Sequence, residues 1–223
     1  MLNKVKPLIV VIDSGLGGTS VLKNLIKKYS CGNYIYYADN ANMPYGKKTK
    51  TYLKKHLIKL ITNIKEKYNS DKIIIACNTA SALLKDEVLP DVLLMPFNSK
   101  HTYLTTNLTK KLLPDVNCIS LSRLAKQIED NIHNLKKLNE IVKKTVQNYK
   151  LYEHNNLVLG CTHYELVAHL FKKFCPKTNI LCNSDIFVNA LELNPDEVNL
   201  TITIIQTKES LKYYEELFKL IKG

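Results

Sequence analysis

No run of apolar residues in this chain approaches the roughly 20 that span a bilayer as a helix, so the sequence offers no transmembrane helix and no membrane partner. Arginine is nearly missing: Arg123 is the only one among 32 basic residues. With no arginine-rich arm and no ladder of aromatics, the formal charge of +12 lacks the groups that read or stack on bases. The lysines are scattered through an Asn- and Ile-rich background and describe a solvated surface, so a nucleic-acid partner is not expected. No proline-, glycine- or serine-rich linker divides the 223 residues, and any two domains must pack closely. Cysteine is not scarce, but none of the six sits at a zinc-finger spacing. The nearest pairings, Cys161 with His163 and Cys175 with Cys182, match no zinc site well, and no metal is expected. Met1 to Pro7 carries two lysines ahead of an apolar stretch, as a signal peptide does. That stretch, Leu8 to Ile12, is too short for a signal core and runs straight into Asp13. The expected compartment is the cytoplasm, where the cysteines stay free thiols.

What is present is alternation. Leu8 to Ile12, Tyr34 to Tyr37 and Ile73 to Ala76 are short apolar runs, the last unbroken by polar residues as in parallel sheets. Val21, Leu22, Leu25 and Ile26 recur at helical spacing behind a glycine-rich turn. Leu53, Leu57, Leu60, Ile61 and Ile64 share one face of an amphipathic helix from Tyr52 to Lys67. Val92 to Met95, Tyr103 to Thr105, Val116 to Leu121 and Leu157 to Leu159 read as further strands. The pattern through Leu124, Ile128, Ile132 and Leu135 towards Val146 predicts two helices. Thr201 to Ile205 reads as a last strand, followed by a terminal helix carrying Leu211, Leu217, Phe218 and Ile221. Strands alternating with helices define an α/β protein with mostly parallel sheets.

One echo within the chain bears on chemistry. Ile73-Ile-Ile-Ala-Cys77-Asn-Thr79 and Leu157-Val-Leu-Gly-Cys161-Thr-His163 both run from a buried strand through a small residue to a cysteine with polar neighbours. In open α/β sheets ligands gather at the carboxyl ends of strands. A lone cysteine reads most simply as a small core residue. Two at matching strand ends can also serve as base and acid on opposite faces of one carbon, because a thiol with a reference pKa of about 8.5 works in either state. Asp13-Ser14-Gly15-Leu16-Gly17-Gly18 follows the first strand and opens a helix. Its glycines do not fit a dinucleotide fingerprint, no P-loop lysine follows, and Asp13 would repel phosphate. It reads as a tight turn that presents Asp13 and Ser14 at the sheet edge. Met43-Pro44-Tyr45-Gly46 is a second turn, structural when taken alone.

Four stretches in this order resemble the glutamate racemases of the aspartate/glutamate racemase superfamily: Ile12 to Gly18, Tyr37 to Gly46, Ala76 to Ser81 and Leu159 to Tyr164. The resemblance is dense over residues 8 to 90 and 155 to 185. It implies two pseudo-symmetric α/β domains with the active site between them. The first would comprise residues 1–92 plus 184–223 and the second, shortened, residues 93–183. It further implies interconversion of L- and D-glutamate without pyridoxal phosphate or any other cofactor, supplying D-glutamate for peptidoglycan, in a homodimer. By similarity Cys161 takes the α-proton of L-glutamate and Cys77 returns one to the other face, with Asp13 assisting Cys77 and His163 assisting Cys161. Ser14, Pro44, Tyr45, Gly46, Asn78, Thr79 and Thr162 match positions that hold the amino acid, and Thr106 and Thr109 match a Thr-x-x-Thr element.

The middle of the chain departs from the family pattern. Asn98 runs almost directly into Tyr103, and Pro114 cuts short the helix expected after Thr109. For the family's Cys-Pro segment with its nearby acid, Cys118 and Glu129 are only approximate counterparts. Two alternatives follow: a reduced homologue acting as a binding or regulatory protein, for example on DNA gyrase, or a racemase for another amino acid such as aspartate.

Overall fold

The computed structural model describes residues 8–121, 123–193 and 199–222; the first seven residues, weighed above as a leader, lie outside them. Among the described residues nine strands form two sheets. They are β1 (Leu8–Asp13), β2 (Asn33–Ala38), β3 (Lys72–Ile75), β4 (Val92–Leu94), β5 (Thr102–Thr105), β6 (Asn117–Ser120), β7 (Asn156–Leu159), β8 (Asn179–Cys182) and β9 (Thr201–Gln206). The first sheet has the order β4-β3-β1-β2-β9 and the second β6-β5-β7-β8. Every described strand pairing is parallel, as the unbroken apolar runs require. The domain boundary expected between residues 92 and 93 falls inside β4, which pairs with β3 in the first sheet.

The helices are α1 (Thr19–Tyr29), α2 (Lys50–Tyr68), α3 (Asn78–Leu84), α4 (Asn107–Leu112), α5 (Leu124–Asp130), α6 (Leu135–Asn148), α7 (Thr162–Glu165), α8 (Ala168–Phe174), α9 (Asn183–Ala190) and α10 (Leu211–Lys222). Local chemistry sets several of their ends. The Thr49 hydroxyl caps α2 by accepting from the Tyr52 N–H, and Asn134 caps α6 by accepting from Lys137. Asn69, in the left-handed region at φ 47°, ends α2. The stripe of Leu53, Leu57, Leu60, Ile61 and Ile64 is buried against Val10, Ile12, Ile73 and Ile75 of the first sheet. The second sheet has its own core, built on Leu104, Leu157 and Leu159 with Leu138, Val142 and Val146 of α6. The single helical pattern from Leu124 to Val146 is indeed two helices. In α10, Leu217 is buried, whereas Leu211 in the first position and Phe218 face solvent. Helix α4 ends at Leu112, just ahead of Pro114. None of the described helices is long and apolar enough to cross a membrane.

Candidate active site

Each sheet presents one cysteine by the same backbone device. In the first, β3 ends at Ile75, the Ala76 N–H donates to the Ile12 carbonyl at 2.9 Å, and Cys77 stands just ahead of α3. In the second, β7 ends at Leu159, the Gly160 N–H donates to the Leu104 carbonyl at 2.8 Å, and Cys161 stands just ahead of α7. The correspondence extends to the neighbouring strands. The Asp13 carbonyl, ending β1, accepts from Asp39 N–H at 2.8 Å, and the Thr105 carbonyl, ending β5, accepts from Leu121 N–H at 2.9 Å. Asp13 and Thr105 therefore hold equivalent backbone positions with unlike side chains, and Asp13 lies at the carboxyl end of a central strand.

Around Cys77 the dominant influences are burial and a carboxylate. Burial lifts the Asp13 carboxyl from 3.8 to about 6, and the His163 charge and backbone N–H groups of Gly15 and Gly18 partly oppose it. Asp13 Oδ2 accepts from Gly15 N–H at 2.9 Å, and its Oδ1 accepts from the Thr162 hydroxyl at 3.3 Å. Burial also pushes the Cys77 thiol well above its ordinary range, with the Asp13 charge adding to the effect. Two glycines make room here. A Cβ on Gly18 would stand 2.5 Å from Asp13 Cβ, and one on Gly17 would stand 2.5 Å from Thr162 Oγ1 and 2.6 Å from the His163 nitrogen.

Around Cys161 the charge is of the other sign. His163 Nε2 pairs with Glu129 Oε2, and the ring is also hydrogen-bonded to Cys161. Burial disfavours the imidazolium, but Glu129 and Cys161 together hold His163 well above the usual histidine value. Glu129 lies in α5, 34 positions before its partner, and nothing local in the sequence links the two. Cys118 does not join the site: it lies in β6, half-buried beside Thr105.

Both cysteines border one cavity of about 30 Å³, together with Ser14, Pro44, Tyr45, Gly46, Asn78, Thr79, Thr106, Thr162 and His163. Asp13 sits behind Ser14 and Thr162, fully buried. Thr109 does not line the cavity. Its hydroxyl closes a triangle with Thr79 and Thr106 at 2.9 Å from each, tying the two halves together. Thr106 also caps α4 by accepting from Thr109 N–H. The Tyr45 hydroxyl is committed to Asp39 at 2.7 Å, so only its ring and backbone remain for a ligand. Asn78 Oδ1 accepts from Asn183 Nδ2 at 2.7 Å. Its own Nδ2 is buried with no partner among the described residues, a donor left free at the cavity wall. Sequence reasoning missed Ala125, which also borders the cavity, and Asp39 and Asn183, which hold Tyr45 and Asn78; the three come from separate parts of the chain. The described residues contain no cluster of His, Cys, Asp and Glu that could hold a metal ion.

No protein-family model matches the chain. The glutamate racemase of Buchnera aphidicola subsp. Schizaphis graminum is 30% identical to it, covering 82% of this chain and 83% of that protein. Among solved structures, a glutamate racemase from Bacillus anthracis superposes with a TM-score of 0.80 at 19% identity, covering 97% of this chain and 94% of that one. The glutamate racemase of Francisella tularensis subsp. tularensis, solved in complex with D-glutamate, gives a TM-score of 0.77 at 22% identity, covering 98% of this chain and 94% of that one.

Proposed function

The chain belongs to the glutamate racemase family, and on that premise we propose that it interconverts L- and D-glutamate by proton transfer between two cysteines, without a cofactor. The observation that carries this reading is the single cavity bordered by both Cys77 and Cys161, which reach it from corresponding strand ends of the two sheets. Inverting a carbon needs a base on one face and an acid on the other, and two thiols brought in from opposite halves meet that need.

With L-glutamate bound, the Cys161 sulfur, as thiolate, takes the α-hydrogen as a proton. The C–H bond breaks, an S–H bond forms, and the electron pair left on carbon spreads into the α-carboxylate. Cys77, as thiol, then gives its proton to the opposite face; that S–H bond breaks and the new C–H bond completes D-glutamate. The return reaction exchanges the roles. Burial and the Asp13 carboxylate favour the thiol form of Cys77, which suits it to begin as the acid. Protonated His163, held by Glu129, offers the Cys161 sulfur a hydrogen-bond donor. After one turnover Cys161 carries the extra proton and Cys77 the charge; Asp13 and His163 are the buried groups through which the starting state is restored.

The α-hydrogen is only weakly acidic, so donors aimed at the carboxylate must stabilise the developing charge. In this reading Asn78 Nδ2, the hydroxyls of Ser14 and Thr79, and the Tyr45 and Gly46 N–H groups behind Pro44 fill that role, while the Thr162 hydroxyl stays on Asp13. A cavity of about 30 Å³ holds a water molecule or two rather than an amino acid, so substrate binding requires the halves to part.

The deciding experiment incubates purified protein in deuterium oxide with each enantiomer of glutamate and of aspartate, with no added cofactor. Deuterium at Cα of both glutamates, with racemisation, is expected, and aspartate should stay unlabelled. Absence of exchange and racemisation across a range of pH would refute the reading. We place the reaction in the cytoplasm, in a homodimer, as a source of D-glutamate for peptidoglycan. Deletion of the gene should then create a requirement for D-glutamate, and sedimentation should give the mass of two chains.

A further inference from the structure

Outside the reaction cavity lies a larger one, of about 260 Å³, and the two share Pro44, Gly46, Thr106 and Ala125. A third, of about 200 Å³, is bordered by Pro44, Ala125 and His163 on its inner side. Pro44 and Ala125 are common to all three, and so form the partition between the reaction cavity and the outside.

The charge of the 260 Å³ cavity is one-sided. Lys47, Arg123 and Lys126 border it, and among the described residues no Asp or Glu does. Lys126 is paired with Asp130 at 2.8 Å, but Lys47 and Arg123 have no ion pair or side-chain hydrogen bond among the described residues. Arg123 is the chain's only arginine, and it is held in the left-handed region at φ 66° immediately before α5, a conformation that residues with a Cβ seldom adopt. The cations also belong to the same two short segments as the partition: Lys47 follows Gly46, and Arg123 and Lys126 flank Ala125. A movement that opens the partition therefore carries the cations with it.

We propose that this outer cavity is an encounter site for a small dicarboxylate, which Lys47 and Arg123 capture before the partition opens to the cysteines. The proposal rests on the racemase reading for the identity of the substrate, though not for the existence of the site. A cleft lined by one sign of charge concentrates ligands of the opposite sign. Glutamate carries two carboxylates against one ammonium, and the outer cavity has the room that the inner one lacks.

The test uses the whole protein and the double variant Lys47→Glu, Arg123→Gln, with the melting temperature confirming that it is folded. At low ionic strength kcat/KM for L-glutamate should fall about tenfold, with kcat within twofold of the parent, and the difference should fade at high salt. The unmodified protein should itself lose kcat/KM as salt rises, a measurement that needs no variant. In parallel, glutarate, which lacks the α-amino group and cannot be racemised, is titrated into both proteins by calorimetry. Binding that weakens about tenfold in the variant and with salt supports the site. Equal glutarate binding by both proteins, no glutarate binding by the parent at low salt, or an unchanged kcat/KM in the variant would overturn it. Charge-dependent glutarate binding by a protein without racemase activity would sink the racemase reading alone. Racemisation with glutarate binding indifferent to both charges would sink the encounter site alone.

Discussion

The two halves of the molecule deliver a cysteine to the same cavity through matching backbone hydrogen bonds, Ala76 to Ile12 in one and Gly160 to Leu104 in the other. Their surroundings differ in charge. Cys77 has the buried carboxylate of Asp13 behind it, whereas the equivalent position near Cys161 is the neutral Thr105, and an imidazolium, His163 with Glu129, takes over the charged role. Pseudo-symmetry here is a property of the backbone and stops short of the side chains. Under the proposed two-cysteine reaction the two sulfurs must be in unlike protonation states at any moment, and unlike neighbours would provide that difference.

The most severe break of the comparison is removal of either sulfur. Cys77→Ala and Cys161→Ala should each lower racemisation by at least about 10³-fold, measured by polarimetry in both directions, because general acid or base help on one face is gone. Comparable rates from either variant would show that the halves are not partners.

Replacing the charge in the first half comes next. Asp13→Asn should cost about 10²-fold in kcat/KM and remove the acid limb of the pH profile near 6. Stability should move the other way. The folded-state pKa is raised, so the stability Asp13 contributes is present in full below 3.8 and lost as pH rises through about 6. Asp13→Asn should therefore be more stable than the parent at pH 7, by up to about 3 kcal/mol, with the gain vanishing below about pH 4. Chemical denaturation at the two pH values checks it; a variant less stable at pH 7 would contradict the assignment.

In the second half, Glu129→Gln removes a charge that raises His163. Activity should fall about tenfold, and its alkaline limb should shift to lower pH as the imidazolium loses its partner, visible in kcat/KM profiles and in the His163 ring resonances. A rate loss with unmoved resonances would leave Glu129 a packing residue. The smallest effect should come from Thr105→Val, the backbone counterpart of Asp13. We expect rates within about threefold and stability within about 1 kcal/mol, since this position supplies a carbonyl rather than a charge. A loss comparable to that of Asp13→Asn would show the symmetry to reach the side chains.

Much of this was legible in the chain. Apolar runs of strand length and the α2 stripe announced their own burial, and the two cysteines could be placed at strand ends because a strand followed by a small residue and a polar turn is a local pattern. Other features were not. Strand β8, Asn179–Cys182, and helix α9 behind it are short and weakly periodic. Thr109 matched a motif for a binding residue, yet its hydroxyl turns to Thr79 and Thr106, because the helix that Thr106 caps places it behind the cavity wall.

By itself the sequence determined the alternation of strands and helices, the turn at Gly17 and Gly18, and the types of group that could do chemistry, since each depends on neighbours within a few residues. Only the tertiary structure decided which of those groups meet. Glu129 reaches His163 across 34 positions, Thr162 reaches Asp13 across 149, and Asn183 reaches Asn78 across 105. Contacts at such separations are fixed by how helices pack on two sheets rather than by local preference. Burial then sets the charges, because the same packing strips water from Asp13, Cys77 and His163 and leaves each to its nearest ionised neighbour.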